Sequence, residues 1–284
     1  MSWIGGKKAL RDVILERFPV NYERYIEVFG GGGWVLFHKP PRGDFEVFND
    51  FDGNLVNLYR CVRDKPQVLI DKLHFTLNSR EDFAEIKTAL KHDADMDEMT
   101  RAALFYQLVV YSYGHDRDSF ACRPNDMWTR FPLIHQAHRR LRRVIIENRD
   151  FEKLIGQYDR PVSFFYCDPP YYMTEDYYAG GFTRTDHKRL HDALMGIGGK
   201  FLLSYNDCPE IRELYNDTGL FVQPVVRPNN LKLRYEAGAQ FAELLIANYD
   251  MAERKRTAPQ QLCLPYFEQP YFGKGDLNGT DIKL

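Results

Sequence analysis

Four consecutive residues, Asp168-Pro169-Pro170-Tyr171, carry the plainest chemistry in this 284-residue chain. They follow the apolar run Val162 to Cys167, which reads as a strand, and ligands of open α/β sheets bind at the carboxyl ends of strands. The two prolines fix φ and remove backbone donors. What remains is a pair of acceptors, the Asp168 carboxylate and the Pro169 carbonyl, beside the ring of Tyr171. That set suits a planar substrate whose exocyclic amino group donates two hydrogens and whose ring stacks on an aromatic face, a contact of about 1–3 kcal/mol. A rigid strand exit with a purely structural carboxylate is the competing reading.

A second constellation lies near the start. Glu27-Val28-Phe29-Gly30-Gly31-Gly32-Gly33-Trp34 takes a strand into four glycines at the start of a helix, where a ligand can approach the backbone closely. Asp50 follows 20 residues after Gly30, at the end of the next strand, placed to accept hydrogen bonds from ribose hydroxyls. Val35 stands where a G-x-G-x-x-G motif needs its last glycine. A nucleoside cofactor without a pyrophosphate is therefore favoured over a dinucleotide, which argues against a nucleotide-dependent oxidoreductase. A glycine turn with no ligand stays open. His187 and His191 have metal-like spacing on a helix, but no Glu falls between them; they read as exposed helix residues, and no metal site is expected. Cys122, beside His115 and Asp116, reads as a loop thiol.

These residues need elements to hold them. Short strands are expected at Arg24 to Phe29, Glu46 to Phe48, Val144 to Ile146, Val162 to Cys167, Phe201 to Tyr205, Phe221 to Val226 and Glu243 to Asn248. Helices at Asp186 to Met195 and Pro209 to Tyr215 separate several of them. The alternation predicts a doubly wound α/β fold, a Rossmann-like sheet with helices on both faces. A mainly helical block interrupts it between the second and third strands. Helical spacing runs from about Gly53 to Leu90 and again from Arg101 to Tyr111. From Leu133 to Arg143, Leu133, Ala137, Leu141 and Val144 share one side while Arg139, Arg142 and Arg143 point away. Between Tyr113 and Phe131 periodicity disappears, which predicts a long functional loop or hairpin. The expected organisation is a catalytic domain in two parts, 1–54 and 144–250, an inserted domain 55–143, and a loosely packed tail 251–284.

Composition bounds the rest. Hydrophobic residues make up 44% and charged residues 27%, which excludes disordered and fibrous classes. No apolar run approaches a membrane span, and the N-terminus lacks the apolar region of a signal peptide. Five cysteines without a C-x-x-C pair argue against a disulfide framework and fit a reducing cytoplasm. A net charge of −2 argues against a nucleic-acid partner only until its distribution is read. Met99 to Arg143 holds eight arginines (Arg101, Arg117, Arg123, Arg130, Arg139, Arg140, Arg142, Arg143) against three aspartates, a balance of +5, so the remainder carries −7. Such asymmetry marks either a nucleic-acid face or a solvated basic surface.

Taken together, the glycine motif, the long insertion and the Asp-Pro-Pro-Tyr motif, in that order, resemble the Dam-like alpha group (D12 class) of DNA N6-adenine methyltransferases of bacteria and phages. Trp3-Ile4-Gly5-Gly6-Lys7 is similar to the family's Trp-Ala-Gly-Gly-Lys cofactor motif, with Ile4 the departure. Asn49-Asp50-Phe51-Asp52, with Asn54-Leu55 and Asn57-Leu58-Tyr59, resembles its second motif. Phe201 to Asp207 and Glu243 to Tyr249 match later sheet motifs. The resemblance covers most of the chain. It implies that Trp3, Lys7, Phe29, Gly31, Gly33, Asp50, Asp150, Phe151 and Asp168 surround S-adenosylmethionine. It also implies that Asp168, Pro169, Pro170 and Tyr171 hold a flipped adenine of double-stranded DNA, with Tyr172 as a further stacking residue. The insertion corresponds to the target-recognition region, so Arg117, Arg123, Arg130, Arg139, Arg140, Arg142 and Arg143 are the expected DNA contacts. The loop Tyr113 to Arg123 takes the place of the recognition hairpin, but it does not match family members that act at one particular target site, so sequence specificity does not carry over. A monomer is expected, and a cognate restriction endonuclease stays open as a partner. An RNA N6-adenine or DNA N4-cytosine methyltransferase is the nearest alternative, since the same amine chemistry serves both. A non-catalytic DNA-binding regulator is the alternative of another class.

Overall fold

The computed structural model describes residues 7–41, 45–175, 181–228 and 240–257. Seven strands form one sheet: β1 (Arg24–Glu27), β2 (Phe45–Asn49), β3 (Val144–Glu147), β4 (Ser163–Cys167), β5 (Lys200–Asn206), β6 (Phe221–Pro228) and β7 (Gln240–Ala247). Their order is β3-β2-β1-β4-β5-β7-β6. The first five strands run parallel, and β7 enters antiparallel to both of its neighbours. The fold is the expected α/β, Rossmann-like sheet. The order in which strands are added reverses between β1 and β4, which makes their carboxyl ends the switch point where ligands bind.

The strand sequences explain their places. All five residues of β4 are buried, as a central parallel strand covered on both faces requires. β6 carries Pro224 and Pro228 and pairs only with β7, because a proline that cannot donate to the ladder is tolerated at an edge. Asn49, at the end of β2, is buried and ties three segments together. Its amide donates to the Val28 carbonyl at 2.8 Å and the Arg149 carbonyl at 3.1 Å, and its oxygen accepts from the Arg149 N–H at 2.9 Å.

Between β2 and β3 lie α3 (Gly53–Asp64), α4 (Pro66–Leu73), α5 (Arg80–His92), α6 (Glu98–Tyr111) and α7 (Phe131–Leu141), preceded in the chain by α1 (Arg11–Leu15) and α2 (Trp34–His38). The apolar spacing from Gly53 to Leu90 is thus three helices. Pro66, with no N–H to give, starts a new helix at its first turn, and Ser79 caps the next by accepting from the Asp82 N–H at 3.2 Å. The insertion's apolar residues (Leu69, Phe105, Ile134) are continuous with Tyr25, Phe48 and Phe164 on one face of the sheet. The boundary expected at residues 54 and 55 therefore falls at the first turn of α3, inside one core. In α7 the buried side is Ile134 and Leu141, while Leu133 is exposed, a phase shift from the expected stripe. Within Tyr113 to Phe131, expected as a loop or hairpin, the first part folds as a short hairpin: Ser112 bridges Phe120, the Tyr113 N–H donates to the Ser119 carbonyl at 2.7 Å, and a 3-10 turn at Met127–Arg130 leads into α7.

The opposite face carries α8 (Phe151–Tyr158), α9 (Arg184–Met195) and α10 (Pro209–Leu214), packed as a second core around Ile26, Phe165 and Leu203. After β7 the chain folds back instead of trailing at once. Met251 is buried, and a short α11 (Glu253–Thr257) follows, with the Arg254 guanidinium donating to the Leu15 carbonyl at 2.8 Å. The remainder of the tail, 258–284, and Trp3 lie outside the described residues. Among the described residues no helix is long and apolar enough to cross a membrane.

Candidate active site

The carboxyl ends of β1, β2 and β4 open into a cavity of about 290 Å3. Of the expected cofactor residues, Lys7, Phe29, Gly31, Asp50, Asp150, Phe151 and Asp168 line it together, although they come from five separate segments. Gly33 stands behind the wall, in a left-handed conformation at the start of α2.

The glycine run shapes the floor. Gly31 has φ of 48°, where a side chain is strained, and its N–H donates to Asp50 Oδ2 at 2.8 Å. A Cβ on Gly30 would meet the Phe48 ring at 2.2 Å. Asp50 also accepts from the Asp52 N–H through Oδ1, at 2.8 Å. Burial pushes its pKa up to about 6 against the pull of those two N–H donors. Each oxygen keeps a lone pair for a further donor.

An aromatic cage forms one side. Phe29 and Phe151 lie 5.6 Å apart between centroids, and Phe182 lies 6.0 and 5.8 Å from them. Asp150 caps α8, accepting from the Glu152 and Lys153 N–H groups, and pairs with Arg189 at 3.2 Å. The Arg189 guanidinium sits 4.8 Å from the centre of the Phe151 ring. Phe182 and Arg189 carry no motif signature, and α8 escapes a strand-centred reading despite its i, i+3, i+4, i+7 spacing at Phe151, Leu154, Ile155 and Tyr158.

The opposite side holds the acceptors. Asp168 Oδ1 takes the Lys7 ammonium at 2.8 Å and the Ser204 hydroxyl at 2.9 Å. Both contacts fall on one oxygen, so among the described residues Oδ2 is left for another donor, as is the Pro169 carbonyl. Burial raises the Asp168 pKa, and Lys7 opposes the rise. Lys7 also lies 3.3 Å from Glu243, donates to the Tyr171 hydroxyl, and sits 4.4 Å from the centre of the Tyr171 ring. Glu243 is fully buried and pairs with Arg227. Its burial favours the neutral form, but Lys7 and Arg227 outweigh it and keep its pKa below the ordinary value. Glu27, also on the cavity wall, accepts from the Tyr25 hydroxyl at 2.7 Å. Burial carries its pKa up to about 8, with Asp168 adding repulsion.

Two expectations need correction here. Tyr171 is buried against Phe241 and beside Lys7, so in this state it presents no open stacking face. The partly buried Tyr172 is more accessible; its backbone is held by Asn206, whose Oδ1 accepts its N–H at 3.0 Å. His187 is buried, not exposed: its ring bonds the Tyr205 hydroxyl at 2.6 Å and Glu175 at 2.9 Å, a structural clamp on the chain after the proline motif.

The arginines divide. Arg123, Arg139, Arg142 and Arg143 are exposed, and Arg130 is partly buried. Arg140 turns inward, where its fork donates to Glu46 at 2.6 and 2.7 Å, and Lys39 completes a buried triad at 2.9 Å. Arg117 also turns inward, to Asp52 at 2.6 Å. Helical phase separates the faces of α7 but does not show that β2 offers Arg140 a carboxylate.

The strand order, with a cavity at its switch point and rigid acceptors beside it, defines a Rossmann-like enzyme of the methyltransferase type. The sequence itself matches the D12 class N6 adenine-specific DNA methyltransferase family over residues 3–227, and the chain belongs to that family. It is 28% identical to the type II methyltransferase M1.LlaDCHI of Lactococcus lactis subsp. cremoris, over 87% of this chain and 94% of that protein. The DNA N-6-adenine-methyltransferase of Escherichia phage P1 shares 26% identity over 79% of this chain and 32% of its own length. The DNA adenine methylase of Haemophilus influenzae shares 25%, over 76% of this chain and 82% of its own. The enzyme is thus an adenine-specific DNA methyltransferase of a family that uses S-adenosylmethionine.

Proposed function

We propose that the cavity at the β1/β4 switch point holds S-adenosylmethionine and that Asp168 and Pro169 present to it the N6 of an adenine flipped from duplex DNA. The supporting observation is the disposition of Asp168: it lines the cavity at the start of the proline turn, and Lys7 and Ser204 occupy its Oδ1, which among the described residues leaves Oδ2 for a further donor. Asp50 accepts from the ribose hydroxyls, and Phe29, Phe151 and Phe182 enclose the cofactor's adenine. The Asp150 carboxylate borders that pocket. Bound there, the cofactor supplies an electrophilic methyl group and a sulfonium leaving group.

The adenine N6 lone pair is delocalised into the ring and is a poor nucleophile. Accepting both N6 hydrogens, Asp168 and Pro169 draw that nitrogen toward a pyramidal shape and localise its lone pair on the cavity side. Pro170 fixes the direction of the turn. Lys7 favours the ionised form of Asp168 and holds it in place, with Glu243 anchoring the Lys7 ammonium, so the residues act by position and electrostatics. The base must leave the stack to reach this site; Tyr172 offers it a ring at once, and Tyr171 does so once Lys7 shifts. Exposed Arg123, Arg139, Arg142 and Arg143, with Arg130, grip phosphates or read base edges beside the hairpin. The enzyme acts as a monomer in the cytoplasm, with the helices between β2 and β3 as its recognition unit.

Methylation of plasmid DNA with labelled S-adenosylmethionine, followed by base-resolution mapping, tests this reading. Methyl groups on N6 of adenines within one short sequence are expected. Label on cytosine N4, or on RNA in preference to DNA, would overturn it.

A further inference from the structure

Arg117 was expected to touch DNA, yet the structure buries its charge within the protein. It stands at the tip of the hairpin with φ of 63°, a left-handed conformation uncommon for a side chain of its size. Its guanidinium reaches Asp52 Oδ2 at 2.6 Å, with the two side chains only 15% and 8% exposed. Asp52 is itself a junction. Its Oδ1 caps α3, accepting from the Asn54 and Leu55 N–H groups at 3.0 and 3.3 Å. Its own N–H donates to Asp50 Oδ1, whose other oxygen accepts from Gly31 on the cavity floor. A continuous path of hydrogen bonds therefore runs from the hairpin tip through Asp52 and Asp50 to the glycine turn.

We propose that Arg117 is a positioning residue that couples the cofactor cavity to the recognition hairpin. Clamped to Asp52, the hairpin tip shares its anchor with the carboxylate that faces the cavity. A ligand that fixes Asp50 thereby fixes the hairpin in one posture, and DNA that fixes the hairpin fixes the cavity floor in return, as reciprocity between linked sites requires. The inference rests on Asp50 being a cofactor ligand. It differs from the expectation of a phosphate contact in that the cation is held inside the protein, unlike exposed Arg123 just after the hairpin.

The test measures duplex affinity with and without sinefungin, an unreactive analogue of the cofactor, on a duplex carrying the site mapped from methylated plasmid. The wild-type enzyme is expected to bind that duplex about fivefold or more tightly when sinefungin is present. Arg117→Ala should reduce that ratio to about twofold or less, and Asp52→Asn should do the same, since Asn keeps the helix cap but loses the charge. Arg117→Lys should restore part of the ratio. The salt dependence of binding should stay unchanged in Arg117→Ala, whereas loss of a phosphate contact lowers its slope by about 0.9. An unaltered ratio in Arg117→Ala, or a reduced salt slope, would overturn the coupling. Asp50→Ala tests the underlying reading separately: if sinefungin binds it as tightly as wild type in the absence of DNA, the cavity assignment fails, whatever Arg117 does.

Discussion

The two charged regions of this enzyme treat their charges in opposite ways. At the carboxyl end of the sheet, Lys7, Asp168, Glu243 and Arg227 are packed against one another, with Lys7 and Glu243 2% or less exposed. On the insertion, Arg123, Arg139, Arg142 and Arg143 stand in solvent, and among the described residues no carboxylate pairs with them. The contrast fits the roles proposed for each region. Aligning an amine for attack needs fixed dipoles in a medium of low dielectric, where an ion pair out of place is costly. Gripping a polyanion needs solvated cations that can trade counterions with phosphate. A whole-chain charge of −2 averages these two designs and describes neither.

If the buried network is the working part of that contrast, removing its cation should have the largest effect. Lys7→Met leaves Asp168 beside Glu243 without the opposing charge, and we expect kcat to fall by about 10²-fold. The Asp168 pKa should rise, because the cation that opposes its burial is gone. The residual activity should therefore need a higher pH, which a pH–rate profile reads directly. A rise in KM alone would instead mark Lys7 as a simple binding group.

Glu27 sharpens the same comparison through stability. Its folded pKa, near 8, lies above the ordinary 4.5, so the folded state holds that proton more tightly than the unfolded chain. Its contribution to stability is present in full below about pH 4.5 and is lost as pH rises through 8. Glu27→Gln should remove that dependence, on the order of a few kcal/mol across the range, as followed by urea unfolding at several pH values.

Arg140 tests the boundary between the regions. It belongs to the basic segment by sequence and to the buried design by structure, so Arg140→Ala should cost about 1–3 kcal/mol of stability. The salt dependence of DNA binding should not change. Arg139→Ala, Arg142→Ala and Arg143→Ala should do the reverse, each shifting stability by less than about 0.5 kcal/mol and lowering the salt slope by about 0.9. If Arg140→Ala lowered the slope while leaving the urea midpoint alone, the division drawn between the two regions would fail.

How far this was legible depends on the range of each signal. The sheet, the glycine turn with Asp50 and the proline motif lie on short contiguous segments, so period, turn chemistry and spacing expose them. The insertion between β2 and β3 shows as a change of period. Partnerships across the chain leave no such mark. Lys7 meets Asp168, Glu243 and Tyr171 only because β4 ends where the first half of the antiparallel β7 passes, and nothing local to Lys7 says so. The same holds for Arg140 with Glu46 and for Arg117 with Asp52. His187 was misread as exposed because its partners, Tyr205 and Glu175, lie on a strand and a loop outside its own helix. Local sequence thus located the carboxylates and the cation-rich surface, and the tertiary fold decided which cations belong to which.

The proposed alignment of the adenine amine turns on Asp168. The rate of methyl transfer to plasmid DNA by Asp168→Ala, with sinefungin and DNA affinities measured on the same preparation, tests it most directly. We expect the rate to fall by about 10²-fold or more while DNA affinity stays within a few fold of wild type. Methyl transfer at the wild-type rate by that variant would contradict the assignment of Asp168 as the acceptor that aligns the adenine amine.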